Sequence, residues 1–579
     1  MKVLILCLIL IASIASHITL GQSKYRDSVV VREITDADAL NPILSTSAVT
    51  FSIIRNIFQS LCATDPNTLN VVPVLAKSTP NISEDGLSFE YEIRKEATWD
   101  NGSPITGYDY AFTLKVIKNP KVNAAHLRPN YAFVEDVIID PNNPKKFTVK
   151  TNEKYILAEF MLNVLSIIPE YNYDPFGLLK DVSIPQLNKE ITSTINEKIT
   201  KFAETFNSDT FRKLPNNISG SGPYVVRLWT YGERIVLERK LNWWGDAFEN
   251  ENVYFQAYPQ KIIHRVIKNV TTAIQLFKLN QIDVLYDLPV KEYLGLKSSM
   301  DPNTVELATP NKFSYNYIGF NLKPNEDRKP FFTDKRVRKA IAHLFDVDKM
   351  IDKVMQGFAT RISNAGLIEK PEEYDKTIPF VEFSPEKAAK LLDEAGWKDT
   401  NKDGIRDKNI NGERVDFEFD FAISAGNADY RKVGYMFSDV ARTVGIVVHV
   451  LEQDQTANIK ARKEHTFDMF LGGWVEEPAP TNLYQIFHSS NWANGGYNFV
   501  GFDNKRADEL LEKINKELDR TKRKTLNYEF QRILADELPY ILLWEPKACI
   551  VIQKRFNNIK TSVTFVSNPG FNPANFQPK

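Results

Sequence analysis

The chain has 579 residues, with hydrophobic residues at 43% and charged residues at 25%. That length exceeds the usual domain and calls for two or three lobes, and the composition excludes a disordered or fibrous chain. Seventy-two Lys and Arg against 73 Asp and Glu leave a net charge of −1, too balanced for a protein built to bind a nucleic-acid backbone.

In chain order, the first element is an export signal. Met1-Lys2 precedes the apolar run Val3 to Ala15, too short to span a bilayer comfortably, and small residues allow cleavage after Ala15 or Gly21. Residues 1–21 are therefore assigned as signal peptide, and the remainder is expected to be exported to the periplasm or cell envelope. Of the three cysteines, Cys7 leaves with the signal. Cys62 and Cys549 either pair or remain two buried thiols.

Short alternating runs predict strands at Phe89 to Ile93 and Lys146 to Val149, separated by turn signals such as Asp85-Gly86 and Asn101-Gly102. Helical patterns cover Thr106 to Ile117 and Ala203 to Phe211. The clearest helix lies at Ser384 to Gly396, with Ser384 as cap, Pro385 in the first turn, Gly396 as stop, and Ala388, Leu391, Leu392 and Ala395 on one stripe. Further helices are expected over Asp508 to Ile514 and Lys524 to Ala535. Interleaved strands and helices define an α/β or α+β chain with several sheets.

Asp399, Asn401, Asp403 and Asp407, with the Ile405 carbonyl and Gly404, have the spacing of a calcium loop, although Ile410 stands where a bidentate Glu is usual. The other reading of this segment is an acidic turn held by side chain-to-backbone hydrogen bonds. No HExxH, CxxC, GxSxG or Walker pattern occurs, so no catalytic set is expected. Ser219-Gly220-Ser221-Gly222-Pro223 lacks the lysine of a phosphate loop and reads as a tight turn entering a strand. Trp243, Trp244, Trp397, Trp474 and Trp492 lie near turns, where rings can wall a ligand cleft. Carboxylate pairs such as Glu476-Glu477 read as surface.

Ordered blocks then reveal a resemblance. They include Leu40-Asn41-Pro42, Trp99-Asp100-Asn101-Gly102-Ser103-Pro104-Ile105-Thr106 with Asp109, Ser221-Gly222-Pro223-Tyr224, Gln281-Ile282-Asp283-Val284 and Phe332-Thr333-Asp334-Lys335-Arg336-Val337. Together these resemble the family 5 extracellular solute-binding proteins, the oligopeptide and dipeptide receptors of bacterial ABC importers. The resemblance implies a bilobal periplasmic-binding-protein-like fold (type II, large variant) with two crossover hinge segments. By analogy, lobe I spans 22–308 and 546–579, with an inserted subdomain at 70–212, and lobe II spans 309–545. It implies capture of a small peptide by hinge closure, a monomer, ABC permease subunits as partners, and no required cofactor beyond possible structural calcium. Family peptide binders place an acidic residue three positions after a Trp to meet the ligand's α-ammonium group. Glu477 holds that place after Trp474, as Glu rather than the usual Asp, with Asn482, Tyr484, Asn498 and Phe499 as further ligand contacts. A nickel chelate, haem or an oligosaccharide on the same scaffold is the alternative cargo, and a secreted hydrolase the alternative class.

Overall fold

The computed structural model describes residues 27–189, 192–326, 328–364, 366, 370, 373–493, 496–565 and 568–579. The signal peptide assigned to 1–21 lies outside them. Two compact units emerge. Unit 1 holds the chain through Glu153, Glu159–Ala308 and Cys549–Lys579; unit 2 holds Lys154–Ala158 and Thr309–Ala548. Lys154–Ala158, assigned from the sequence to the lobe I insertion, groups instead with unit 2, where the Ile156 N–H bonds the Asn515 carbonyl at 2.8 Å. The chain thus leaves unit 1 after Ala308 and returns at Cys549.

Unit 1 is built on a seven-stranded mixed sheet. Its strands are β1 (Ser28–Glu33), β2 (Tyr224–Thr230), β3 (Arg234–Arg239), β4 (Lys261–Val266), β5 (Val284–Leu285), β6 (Val305–Ala308) and the returning segment Ile550–Gln553. The sequence Ser-Val-Val-Val-Arg-Glu of β1 is buried along its whole length, because parallel neighbours β4 and β5 flank it. Buried on both faces, its Val29-Val30-Val31 centre reads as a continuous apolar run, with Arg32 and Glu33 buried at its end. A four-stranded antiparallel sheet pairs Ser88–Glu92 with Lys146–Thr151 at its centre. The helix Gly107–Lys118 accompanies it and starts at a capping box, in which Thr106 and Asp109 exchange hydrogen bonds with each other's backbone. The expected helix over Ala203 to Phe211 is instead two, Ser193–Phe206 and Asp209–Arg212, because Asn207 caps the first and Ser208 opens the second.

The Ser219–Pro223 turn leads directly into β2. A Cβ on Gly220 would lie 2.1 Å from the Ile57 carbonyl oxygen, and one on Gly222 would lie 2.6 Å from that of Asn56. Glycine is needed here for close backbone approach, and the Gly222 N–H bonds the same Ile57 carbonyl at 2.8 Å. Trp243 and Trp244 both donate their indole N–H to the Ser221 carbonyl, at 2.8 and 3.1 Å. Their role is to fasten this turn. Cys62 and Cys549 are both buried thiols, and burial pushes the Cys62 thiol up to about 12.

Unit 2 carries a six-stranded sheet of β7 (Ser314–Phe320), β8 (Ala359–Arg361), β9 (Glu418–Ser424), β10 (Val447–Gln453), β11 (Met469–Val475) and β12 (Tyr540–Pro546), in the order β8-β12-β7-β11-β9-β10. Its helices include α1 (Lys335–Ala342), α2 (Pro385–Glu394), α3 (Ala428–Arg442), α4 (Lys505–Lys516) and α5 (Arg520–Glu537). Ser384 caps α2 as read from the sequence, accepting from the Lys387 N–H, and Gly396 follows with φ of +86°.

The period of two divides β7 between two faces. Ile318 and Phe320 enter a core shared with Met469, Leu471, Phe345, Phe437 and Leu392. Trp397 also sits in this core, 2% exposed and stacked on Phe417 at 4.4 Å, so it does not wall a cleft. Tyr315 and Tyr317 point to the opposite face. Their register partners on β11 are Trp474 and Gly472. Directly opposed residues share a face, so the second face of this sheet is aromatic.

Candidate functional site

That aromatic face is built from strand register. A Cβ on Gly472 would meet the Tyr317 ring at 2.8 Å, so glycine there lets the ring lie flat across β11. Tyr317 stacks on Tyr540 with centroids 4.1 Å apart, and its plane is parallel to Trp474 within 3° at 6.4 Å. Phe499 is likewise parallel to Trp474, at 6.4 Å and within 4°. Tyr497 meets the edge of both Trp474 and Phe499. Burial varies along this row. Tyr317, Tyr540 and Phe499 are buried, Trp474 is half-buried and Tyr497 is exposed. The exposed end offers flat apolar surface with a polar edge, suited to a ligand that is only partly desolvated. Burial raises the Tyr315, Tyr317 and Tyr540 hydroxyls well above their ordinary range or in that direction, so all three are neutral.

Beside this row the same face carries a cavity with about 50 Å³ open to water-sized molecules. Tyr315, Tyr540 and Leu542 come from the sheet; Thr481, Leu483 and Phe487 from the segment after β11. The helix α5 contributes Asn527, Gln531 and Leu534, whose spacing of four and three places them on one helical face. Lys370 and Glu373 come from the segment after β8. The Lys370 ammonium donates to Glu476 Oε2 at 2.7 Å, the Ala479 carbonyl at 2.9 Å and Thr481 Oγ1 at 2.9 Å. The Thr481 N–H is shared between the two Glu373 oxygens at 3.3 and 3.1 Å. Gln531 holds the Asp375 N–H and donates to the Glu373 carbonyl, pinning the segment to α5.

The residues expected to contact ligand separate into three groups. Trp474 and Phe499 meet in the aromatic row. Asn498, fully buried, donates to the His488 and Phe502 carbonyls and accepts the Phe502 N–H, so its amide shapes the loop behind that row. Asn482 bonds Asn515 and the Tyr484 N–H, and the Tyr484 ring stacks on His488 at 4.2 Å. Glu477 is half-buried just past the end of β11. Its neighbour Glu476, read from the sequence as surface, is instead a cavity wall paired with Lys370, with only 17% of its side chain exposed. Lys370, Asn527 and Gln531 were not singled out by sequence. Their one available signal was Asn and Gln four apart on a helix that also presents Phe530 and Leu534 to the interior.

In the Asp399–Asp407 loop the carboxylates bond the loop itself. Asp399 accepts the Asp403 and Gly404 N–H groups, and Asp403 accepts the Ile405 N–H and the Asn401 amide. Asp407 accepts both the N–H and the hydroxyl of Thr400. These bonds hold Asp403 and Asp407 below the ordinary carboxylate range. Among the described residues, no group of three or more His, Cys, Asp or Glu is arranged to hold a metal ion. Likewise, no helix among them is long and apolar enough to cross a membrane.

Two α/β units, each carrying its own mixed sheet, make up the fold. Solved structures share it. The oligopeptide-binding protein AppA of Bacillus subtilis, determined with a nonapeptide, superposes with a TM-score of 0.65 at 23% identity, covering 95% of this chain and 99% of that one. NikZ of Campylobacter jejuni, determined with Ni(L-His), gives 0.68 at 22% identity, covering 96% and 100%. The chain belongs to the bacterial extracellular solute-binding proteins, family 5, whose middle-region pattern matches residues 70–495. Among sequence relatives, the B. subtilis oligopeptide-binding protein AppA is 27% identical over 93% of this chain and 90% of its own length.

Proposed function

We propose that the chain is the exported substrate-binding subunit of a bacterial ABC-type peptide importer, which captures oligopeptides and releases them unchanged to membrane permease subunits. The observation that carries this reading is the end of β11, where the half-buried Trp474 is followed by Glu476 and Glu477 beside the polar cavity. Kinship with an oligopeptide-binding protein over most of both chains supports it. An extended peptide offers the same backbone donors and acceptors whatever its side chains, so a receptor that reads backbone and one charged end accepts many sequences. In this reading Trp474 and Tyr497 wall the ligand and Glu477 meets its α-ammonium group.

A charge-assisted hydrogen bond of that kind contributes about 1.5–3 kcal/mol, so Glu477→Ala is expected to weaken tripeptide binding by about 10- to 100-fold in calorimetry. Unchanged affinity would remove Glu477 from the site. The subunit acts as a monomer in this proposal and catalyses nothing. Peptide cleavage by purified protein would move it to the hydrolase class. The structural similarity to a nickel-chelate complex makes a metal chelate the second reading, tested by the same titration with Ni(L-His). For the Asp399–Asp407 loop we propose a structural turn. Stoichiometric calcium after exhaustive dialysis would overturn that role.

A further inference from the structure

The unit 2 cavity combines three features that together specify a guest. First, it encloses about 50 Å³ open to water-sized molecules. At roughly 10–15 Å³ per water, that holds a few waters or the end of one polar side chain. Second, Asn527 lines it, is only 5% exposed, and its buried Nδ2 has no hydrogen-bond acceptor. Buried polar atoms without partners are few in folded proteins and each needs a reason. A cavity filled by a hydrated polar group supplies one.

Third, the ionic balance of the wall has a sign. The Lys370 ammonium spends its three N–H bonds on Glu476, Ala479 and Thr481, leaving no donor for a guest. Among the described lining residues, two carboxylates, Glu373 and Glu476, stand against that one cation. Among the described residues, Glu373 receives a single shared N–H, from Thr481, which leaves acceptor capacity on both oxygens. Among the described residues, the rest of the wall sets Leu483, Phe487, Leu534 and Leu542 beside the amides of Asn364 and Gln531. The apolar part of this wall, next to a carboxylate with spare acceptor capacity, matches an aliphatic stem ending in a positively charged donor group.

We propose that this cavity is a subsite for a lysine or arginine side chain of the ligand, which makes the protein selective for basic peptides. The inference rests on the peptide reading above. The guest's stem lies against the leucines, its cationic head donates to Glu373 and Glu476, and a water accepting from Asn527 Nδ2–H completes the shell. An acidic side chain at the same place meets the Glu373 carboxylate and a Glu476 already paired with Lys370.

The test is calorimetry at low salt with trialanine, its three single-lysine positional variants and the matching single-glutamate variants. In the wild type, one lysine variant is expected to bind at least tenfold tighter than trialanine, and its glutamate counterpart more weakly. Glu373→Gln and Asn527→Leu are each expected to cut the lysine-to-trialanine affinity ratio several-fold, with thermal unfolding as the check that both variants are folded. If trialanine binds and all three lysine variants bind no better, the subsite is wrong and the peptide reading stands. A lysine advantage that survives intact in both variants would place its source elsewhere and also overturn the subsite. If no tripeptide binds, the peptide reading falls and this inference falls with it.

Discussion

Buried charge is handled in two ways in this molecule. In unit 1, Asp283 is 1% exposed and both of its carboxylate oxygens have partners. Arg555 grips both carboxylate oxygens at 2.6 and 2.7 Å, and the Val30 N–H of β1 donates to one of them at 2.8 Å. Burial pushes the Asp283 carboxyl up although these partners pull it down. In unit 2, Lys370, Glu373 and Glu476 surround open space, and Asn527 is left with an unused donor. A closed pair holds strands together, and an open, incompletely satisfied wall is ready for a guest. Both arrangements use the same side-chain chemistry; what separates them is whether the remaining acceptor positions face protein or empty space.

The largest effect expected from this contrast is on stability in unit 1. Arg555→Leu leaves Asp283 buried without its cation and is expected to cost about 3–5 kcal/mol in urea unfolding at neutral pH. Because the folded carboxyl already titrates above its ordinary value, the cost is expected to shrink as pH falls through the acid range and Asp283 takes up a proton. A cost that does not change with pH would assign the loss to packing. Next comes ligand binding in unit 2: Trp474→Ala is expected to lose about 1–2 kcal/mol of tripeptide affinity in calorimetry, with unfolding little changed, since the ring is only half-buried.

Lys118 tests what a buried cation does with a neutral partner. Its ammonium donates to Asn188 at 2.8 Å, and burial lowers it from the ordinary 10.5 to about 8. Between pH 8 and 10.5 the unfolded state then binds more protons than the folded one, so stability rises with pH across that window. The difference between wild type and Lys118→Met, followed by urea unfolding at pH 8 and pH 10, is expected to move by roughly 1–2 kcal/mol in favour of the wild type. The smallest effect belongs to Asn527→Leu, which removes an unsatisfied donor. It is expected to leave stability within about 1 kcal/mol of wild type or to raise it. A loss of several kcal/mol would show that Asn527 holds the cavity together.

Sequence alone reached the elements with strong local signals. Ser384 and Gly396 bound α2 by capping chemistry that needs no distant partner, and the Thr106–Asp109 box opens its helix in the same way. The Ser219–Pro223 turn was legible because only glycine suits such a backbone approach. Order of motifs brought out the family. The cavity was not legible, because Glu373, Glu476, Asn527 and Tyr540 are brought together from four separated segments by the β7-β12 and β7-β11 pairings. Asn498, named through the family resemblance, spends its amide on backbone groups of its own loop, an arrangement that only the folded chain displays.

Capture without chemistry is the central claim, and native mass spectrometry of the protein mixed with an equimolar set of tripeptides addresses it most directly. The account predicts one peptide bound per chain, enriched in lysine- or arginine-containing members, and released on activation at its original mass. A spectrum with no bound peptide, or peptides recovered as fragments, would contradict it.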